Sequence, residues 1–193
     1  LLLGGAQAVA GDYKAAERTY AEAMAVDPQN PDVLFSAGTN HLLLEDSQAA
    51  ADNLTAFVAL RPDMKGQYYL GVAYNALGEK EKAQAAFAEA ARLGEQISPA
   101  PLDLAFAYVE LGRTDDAIAI YLQQLAAQET PEVHAYLGAL YAEKGATDLA
   151  RQEYQRALEL DPDQSLAHFS LANLAYPASD WQTAAAEYEA YLK

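Results

Sequence analysis

The residues able to do chemistry are few and scattered. Histidine occurs three times, as His41, His134 and His168, and cysteine does not occur. A thiol nucleophile, a disulfide and a cysteine-ligated metal are thereby excluded for this chain. The sequence carries no Ser-His-Asp arrangement, no glycine-rich phosphate cradle and no pair of histidines at metal-ligating spacing. Asp161-Pro162-Asp163 sets two carboxylates side by side, but the other ligands of a calcium loop are missing, so capping and chain reversal are the expected roles. Asn53-Leu54-Thr55 matches a glycosylation sequon. Leu54, however, falls on the packing side of a helix. His134 and His168 stand 34 residues apart, in equivalent places of a recurring pattern. Recurrence of that kind points to a structural duty. No catalytic, cofactor-binding or metal-binding residue is assigned, and no cofactor is expected.

The recurring pattern is what positions these residues. A small residue returns every 33 or 34 positions as Gly4, Gly38, Gly71, Ala105, Gly138 and Ala172. Twelve residues after each comes Ala16, Ala50, Ala83, Ala117, Ala150 or Ala184, and four further on Tyr20, Leu54, Phe87, Tyr121, Tyr154 or Tyr188. Within one copy, Leu70, Gly71 and Tyr74 share one helix face, and Ala83, Phe87 and Ala90 share another. Gly11, Gly78, Gly112 and Gly145 fall where a first helix must end, with Glu45 and Ser179 as exceptions. Asp12, Asp115 and Asp180 follow as caps for the second helix. Pro28, Pro31, Pro62, Pro131 and Pro162 mark the joints between copies. The reading is a single array of helix–turn–helix units over 1–193, with repeats at 1–30, 31–63, 64–97, 98–130, 131–164 and 165–193, the first and last incomplete.

Several departures carry expectations of their own. Phe57, Gln124 and Tyr191 stand where the other repeats have Ala23, Ala90 and Ala157, which predicts looser packing in the even repeats. The stretch from Leu93 to Pro101 holds Gly94, Pro99 and Pro101 and should shorten both flanking helices. Pro177 should end the sixth first helix early and distort its turn. Trp181 follows a turn as Tyr13 does, and packing between helices is its expected role.

Composition bounds the partners. Hydrophobic residues make up 52% of the 193 and charged residues 21%, enough apolar surface for every helix pair. Asp and Glu number 28 against 12 Lys and Arg, a net charge of −16 that argues against nucleic acid and anionic membrane surfaces. No run approaches the roughly 18 apolar residues of a membrane span. The apolar opening at Leu1-Leu2-Leu3 lacks a basic flank, and the repeat register claims it, so Leu1 is read as a cut inside a repeat. Alanine-rich helices without cysteine are compatible with a bacterial source, with cytoplasm and periplasm both open.

Leu70-Gly71 with Tyr74, Gly78, Ala83, Phe87 and Ala90, and Leu137-Gly138 with Tyr141, Gly145, Ala150, Tyr154, Ala157 and Pro162, resemble the tetratricopeptide repeat family, and the register extends over essentially the whole chain. The resemblance implies an all-α, α-α superhelix in which antiparallel helix pairs stack and first helices line a concave groove. On that geometry the partner-binding residues are Phe35, Thr39, Tyr68, Val72, Asn75, Leu102, Phe106, Tyr136, Phe169 and Asn173, with Val109 and Ala135 also facing the groove. The family's clamp for acidic chaperone tails needs lysines and asparagines together on successive first helices. Here Lys65, Asn75 and Asn173 lie in separate repeats, so that clamp is not expected. The expectation is a non-enzymatic scaffold that binds an apolar or amphipathic peptide or helix of a protein partner. The alternative is a self-associating module joined through uncapped ends, or a recruitment segment of a longer protein with an enzyme domain elsewhere.

Overall fold

The computed structural model describes residues 1–192 and is all-α, with twelve helices and no strand among the described residues. The chain divides into two compact units, Leu1–Gly112 and Arg113–Lys193, and the boundary falls in a turn inside the fourth repeat. In the first unit lie α1 (Leu2–Val9), α2 (Tyr13–Val26), α3 (Pro31–Leu43), α4 (Ser47–Leu60), α5 (Met64–Ala76), α6 (Lys80–Gly94) and α7 (Leu102–Glu110). The second holds α8 (Thr114–Ala127), α9 (Pro131–Glu143), α10 (Thr147–Leu160), α11 (Ser165–Ala175) and α12 (Trp181–Tyr191). No helix is long and apolar enough to cross a membrane among the described residues.

Inside each unit a helix packs mainly on its chain neighbours. In the first, α1 pairs with α2, α3 with α4 and α5 with α6, while α2, α4 and α6 each lean on the next first helix. First helices also meet one another, α3 with α5 and α5 with α7. The second unit repeats the scheme with α9–α10, α11–α12, α8–α9, α10–α11 and α9–α11. The apolar clusters follow suit, one of them joining Ala50, Ala51 and Leu54 of α4 to Leu70 and Ala73 of α5 and Ala86 of α6.

The period seen in the sequence is the period of contact within a hairpin. A methyl group added at Gly4 would lie 2.5 Å from Tyr20 Cε1, at Gly38 2.6 Å from Leu54 Cγ, at Gly71 2.6 Å from Phe87 Cδ1 and at Gly138 2.7 Å from Tyr154 Cε1. The glycine therefore makes the seat, and the ring or leucine of the second helix fills it. Tyr20, Leu54, Phe87 and Tyr154 are all buried. Each such burial stabilises the hairpin by about 1.5–3 kcal/mol.

The turns share a way of closing a hairpin. Gly11, Gly78, Gly112 and Gly145 take φ of 69–78°, and Glu45 and Ser179 are forced to +60° in the same place. The next amide donates back five residues: Asp12 N to Gln7 O at 2.9 Å, Asp46 N to His41 O at 2.9 Å, Glu79 N to Tyr74 O at 2.9 Å, Ala146 N to Tyr141 O at 2.8 Å and Asp180 N to Ala175 O at 3.1 Å. This Schellman closure satisfies the carbonyls left open at a helix end. Pro177 does shorten its helix, since α11 stops at Ala175 after 11 residues where α3, α5 and α9 run to 13. The turn beyond it lengthens to Tyr176–Ser179, as expected of a distorted turn, yet keeps the common closure.

Four expectations need correction. Asp12 and Asp180 cap as predicted, accepting from Ala15 N and Thr183 N, but Asp115 lies within α8, and the cap position after Gly112 is held by Arg113. Asp46 caps α4 instead, accepting from Ala49 N at 3.1 Å. Gly94 does not shorten α6, which ends on it and at 15 residues is the longest helix described. It is a gap in the packing: a methyl group there would lie 2.8 Å from Met64 Sδ and 2.9 Å from Leu104 Cδ1. Of the two helices flanking this stretch only α7, with 9 residues, is short. Phe57 does not loosen the second repeat either. It is 1% exposed, because Gly66 leaves it room, a methyl group at Gly66 coming within 2.3 Å of its ring. Trp181 is 57% exposed, its ring edge-on to Tyr176 at 4.9 Å, and so lies over the last turn instead of between helices.

Candidate protein-binding surface

In the first unit the aromatic side chains of three first helices form a connected ladder. Phe35 of α3 meets Phe57 of α4 at 5.1 Å between centroids and Tyr69 of α5 at 5.8 Å. Tyr69 meets Tyr68 at 5.4 Å, and Tyr68 reaches both Phe87 of α6 at 5.8 Å and Phe106 of α7 at 6.1 Å. Phe57 and Phe87 are buried, whereas Phe35, Tyr68, Tyr69 and Phe106 are each half-buried. The buried rings fix the exposed ones, since each tilted or edge-on pair adds about 0.5–1.5 kcal/mol beyond area. The hairpin register puts them there: Tyr68 precedes Gly71 by one helical turn and leans on the ring that the glycine seats.

The structure places the remaining candidates as follows. Thr39 and Val72 are half-buried on α3 and α5, and the Thr39 hydroxyl donates to the carbonyls of Phe35 and Ser36 at 3.1 Å each. Asn75 is exposed near the end of α5, and Leu102 is half-buried at the start of α7. In the second unit Tyr136 of α9 stacks on Tyr121 of α8 at 5.9 Å. Phe169 of α11 is 41% exposed and touches Tyr191 at 5.3 Å and Tyr188 at 6.2 Å. Asn173 is exposed, and its Oδ1 accepts from the Tyr188 hydroxyl at 2.6 Å. Ala135, expected to face outward, is fully buried in the cluster of α9, α10 and α11.

Charge sits beside the ladder in balanced form. Arg61 lies 4.9 Å above the Phe57 ring and pairs with Asp32 at 3.0 Å, and Lys65 pairs with Asp103 at 3.2 Å. Exposed pairs of this kind add little stability. Between them a cleft of about 320 Å³ opens at the joint before α7, lined by Pro62, Asp63, Met64, Lys65, Leu93, Ile97 and Pro101. Its walls are mainly apolar. The sequence reading missed the supports Phe57 and Phe87 and the cation Arg61. Phe57 was the visible clue, a ring where the odd-numbered repeats hold alanine.

No cluster of three histidine or carboxylate side chains suited to a metal occurs among the described residues. Asp161 Oδ1 accepts from Asp163 N at 3.1 Å, which makes that carboxylate a turn former. Glu129 is held down to about 2 by hydrogen bonds from Arg156 first and His134 second. Both carboxylate oxygens of Glu129 are thereby spent on structural partners.

Comparison with known proteins agrees with this architecture. Residues 35–97 and 102–135 match family models described as Tetratricopeptide repeat, and residues 138–176 match one described as TPR repeat. The chain belongs to the tetratricopeptide repeat family. A crystal structure of a thermophilic TPR protein from Thermus thermophilus is 29% identical, with a TM-score of 0.71 over 91% of this chain and 97% of that one. The tetratricopeptide repeat and J domain-containing co-chaperone DNJ1 of Fusarium oxysporum f. sp. lycopersici is 31% identical over 121 residues, 59% of this chain and 23% of that protein. Anaphase-promoting complex subunit 7 of Dictyostelium discoideum is 31% identical over 136 residues, 69% of this chain and 23% of that protein. The chain thus spans less than a quarter of the length of these curated relatives. Tetratricopeptide repeats are in general non-catalytic scaffolds for protein interaction.

Proposed function

We propose that this tetratricopeptide repeat array, taken as one over 1–193, is a non-enzymatic adaptor whose first-helix groove holds an apolar or amphipathic peptide or helix of a protein partner. Phe35, Thr39, Tyr68, Val72, Asn75, Leu102 and Phe106 carry the contact in the first unit, and Tyr136, Phe169 and Asn173 carry it in the second. The observation that carries the reading is the aromatic ladder, whose exposed rings rest on buried ones. Rings held in place lose little freedom on binding, and such anchors dominate interface energies, at about 2 kcal/mol or more each. The co-chaperone and the multisubunit-complex component among the relatives support a duty in protein assembly.

A direct test is selection from a peptide library against the chain and against a Tyr68→Ala, Phe106→Ala double variant. Binders of the parent should lose about 30-fold or more in affinity for the variant. Equal affinity for both forms would remove the ladder from the contact. The alternative reading is self-association, and it rests on exposed apolar ends, with Leu2 92%, Leu3 63% and Leu192 80% exposed. Sedimentation separates the two, because a self-associating chain gains mass with concentration and an adaptor does not.

A further inference from the structure

Two hairpins of the second unit carry the same unusual histidine contact. His134 on α9 and Glu153 on α10 lie 19 residues apart, as do His168 on α11 and Glu187 on α12. His134 Nδ1 lies 2.7 Å from Glu153 Oε2, and its Nε2 3.1 Å from Glu129 Oε1. His168 Nδ1 lies 2.6 Å from Glu187 Oε2, and its Nε2 2.8 Å from the carbonyl oxygen of Pro162. Both rings are largely buried, with side chains 9% and 14% exposed. An ionised carboxylate and a carbonyl only accept hydrogen bonds. An imidazole flanked by such atoms on both nitrogens satisfies them only when it donates from both, which makes it the imidazolium cation.

We propose that the sixth hairpin is closed by a proton-dependent clasp, His168 with Glu187 and the Pro162 carbonyl, so that α11 and α12 loosen as the solution turns alkaline. The charged surroundings of His168 support holding a cation. Around His168, Asp163 adds attraction, and Glu187 shares a cavity with Arg151 and Glu159 of α10. Burial pulls the His168 ring down, but Glu187, the Pro162 carbonyl and Asp163 together move it above its ordinary value. A group raised on folding contributes its stability in full below the unfolded value of about 6.5 and loses it as pH climbs through the folded value. Loss of the proton leaves a bare ring nitrogen facing an oxygen, an unfavourable contact in a largely buried site. The clasp also bears on the exposed surface, because Tyr188, next to Glu187, holds Phe169 and Asn173.

The deciding measurement is a pH titration of the full chain labelled with ¹⁵N, reading imidazole nitrogens and backbone amide exchange together between about pH 5.5 and 9. His41, whose Nδ1 has no hydrogen-bond partner, serves as internal comparator. The expected result is two protonated nitrogens on His168 near neutral pH. Amide protection in α11 and α12, corrected for intrinsic exchange, should fall in the interval where His168 deprotonates, while α3–α6 keep theirs. A single proton on the His168 ring at neutral pH, or protection in α11 and α12 that ignores the titration, overturns the proposal. In a His168→Gln variant the fall should vanish, and its persistence would equally overturn it. Should that variant fail to fold, the titration of the parent chain decides alone.

Discussion

Glu45 and Ser179 hold a left-handed backbone, φ +60° in each, at the place where four sister turns use glycine. An L residue there crowds its own Cβ against the following carbonyl, at a cost of about 1–2 kcal/mol, part of which a glycine recovers in lost strain and part of which it returns as unfolded-chain entropy. Glu45→Gly and Ser179→Gly should therefore each raise stability by about 0.5–1 kcal/mol. Thermal melts should show a rise of about 1–4 °C per substitution, and a fall in either would mean that the side chain does something the turn geometry does not reveal. These two sites were legible as gaps in the glycine column, because a positive φ leaves a mark on composition. Caps were legible only in part. An aspartate serves wherever its carboxylate reaches a free amide, and two residues separate Asp46, which caps, from Asp115's offset place inside α8.

Among helices the unit of design is the complementary pair. Phe57 of α4 and Gly66 of α5 share a space that Ala23 and Val33 divide the other way. Phe57→Ala alone should cost about 3–5 kcal/mol through the cavity it leaves, and Gly66→Val alone about 1–3 kcal/mol or more by driving a side chain into the ring. The double variant should recover at least half of the summed loss in chemical denaturation, since it recreates the arrangement of the neighbouring repeats. Additive losses would show that the two sites do not share one space. Reading down the sequence showed Phe57 as an anomaly, but the residue that resolves it sits on another helix, and only packing reveals the partner. Gly94 taught the same lesson, as a helix breaker by type and a spacer between Met64 and Leu104 by position.

At the scale of the molecule, a net charge of −16 on 193 residues means that the fold is held against its own repulsion. Raising salt from about 10 mM to about 150 mM shortens the screening length from about 30 Å to about 8 Å and should lift the melting temperature by a few degrees. A decrease would show that the ion pairs, such as Arg156 with Glu129 and Glu159, outweigh the excess of acid. The all-helical architecture and its repeat were legible throughout, because the same glycine–ring contact recurs in hairpin after hairpin. The candidate surface was legible by helix face, whereas its connectivity through Phe57 and Phe87 was not, since ring-to-ring geometry has no counterpart in spacing.

The turns that reach back only five residues carry a last implication, for biogenesis. With hairpins closed locally and the next neighbour within each unit arriving within one further repeat, contact order is low, and chains of that kind fold quickly. An amino-terminal hairpin emerging from the ribosome needs only the following one to cover its apolar side, so assembly proceeds in the order of synthesis and little sticky surface waits for distant segments.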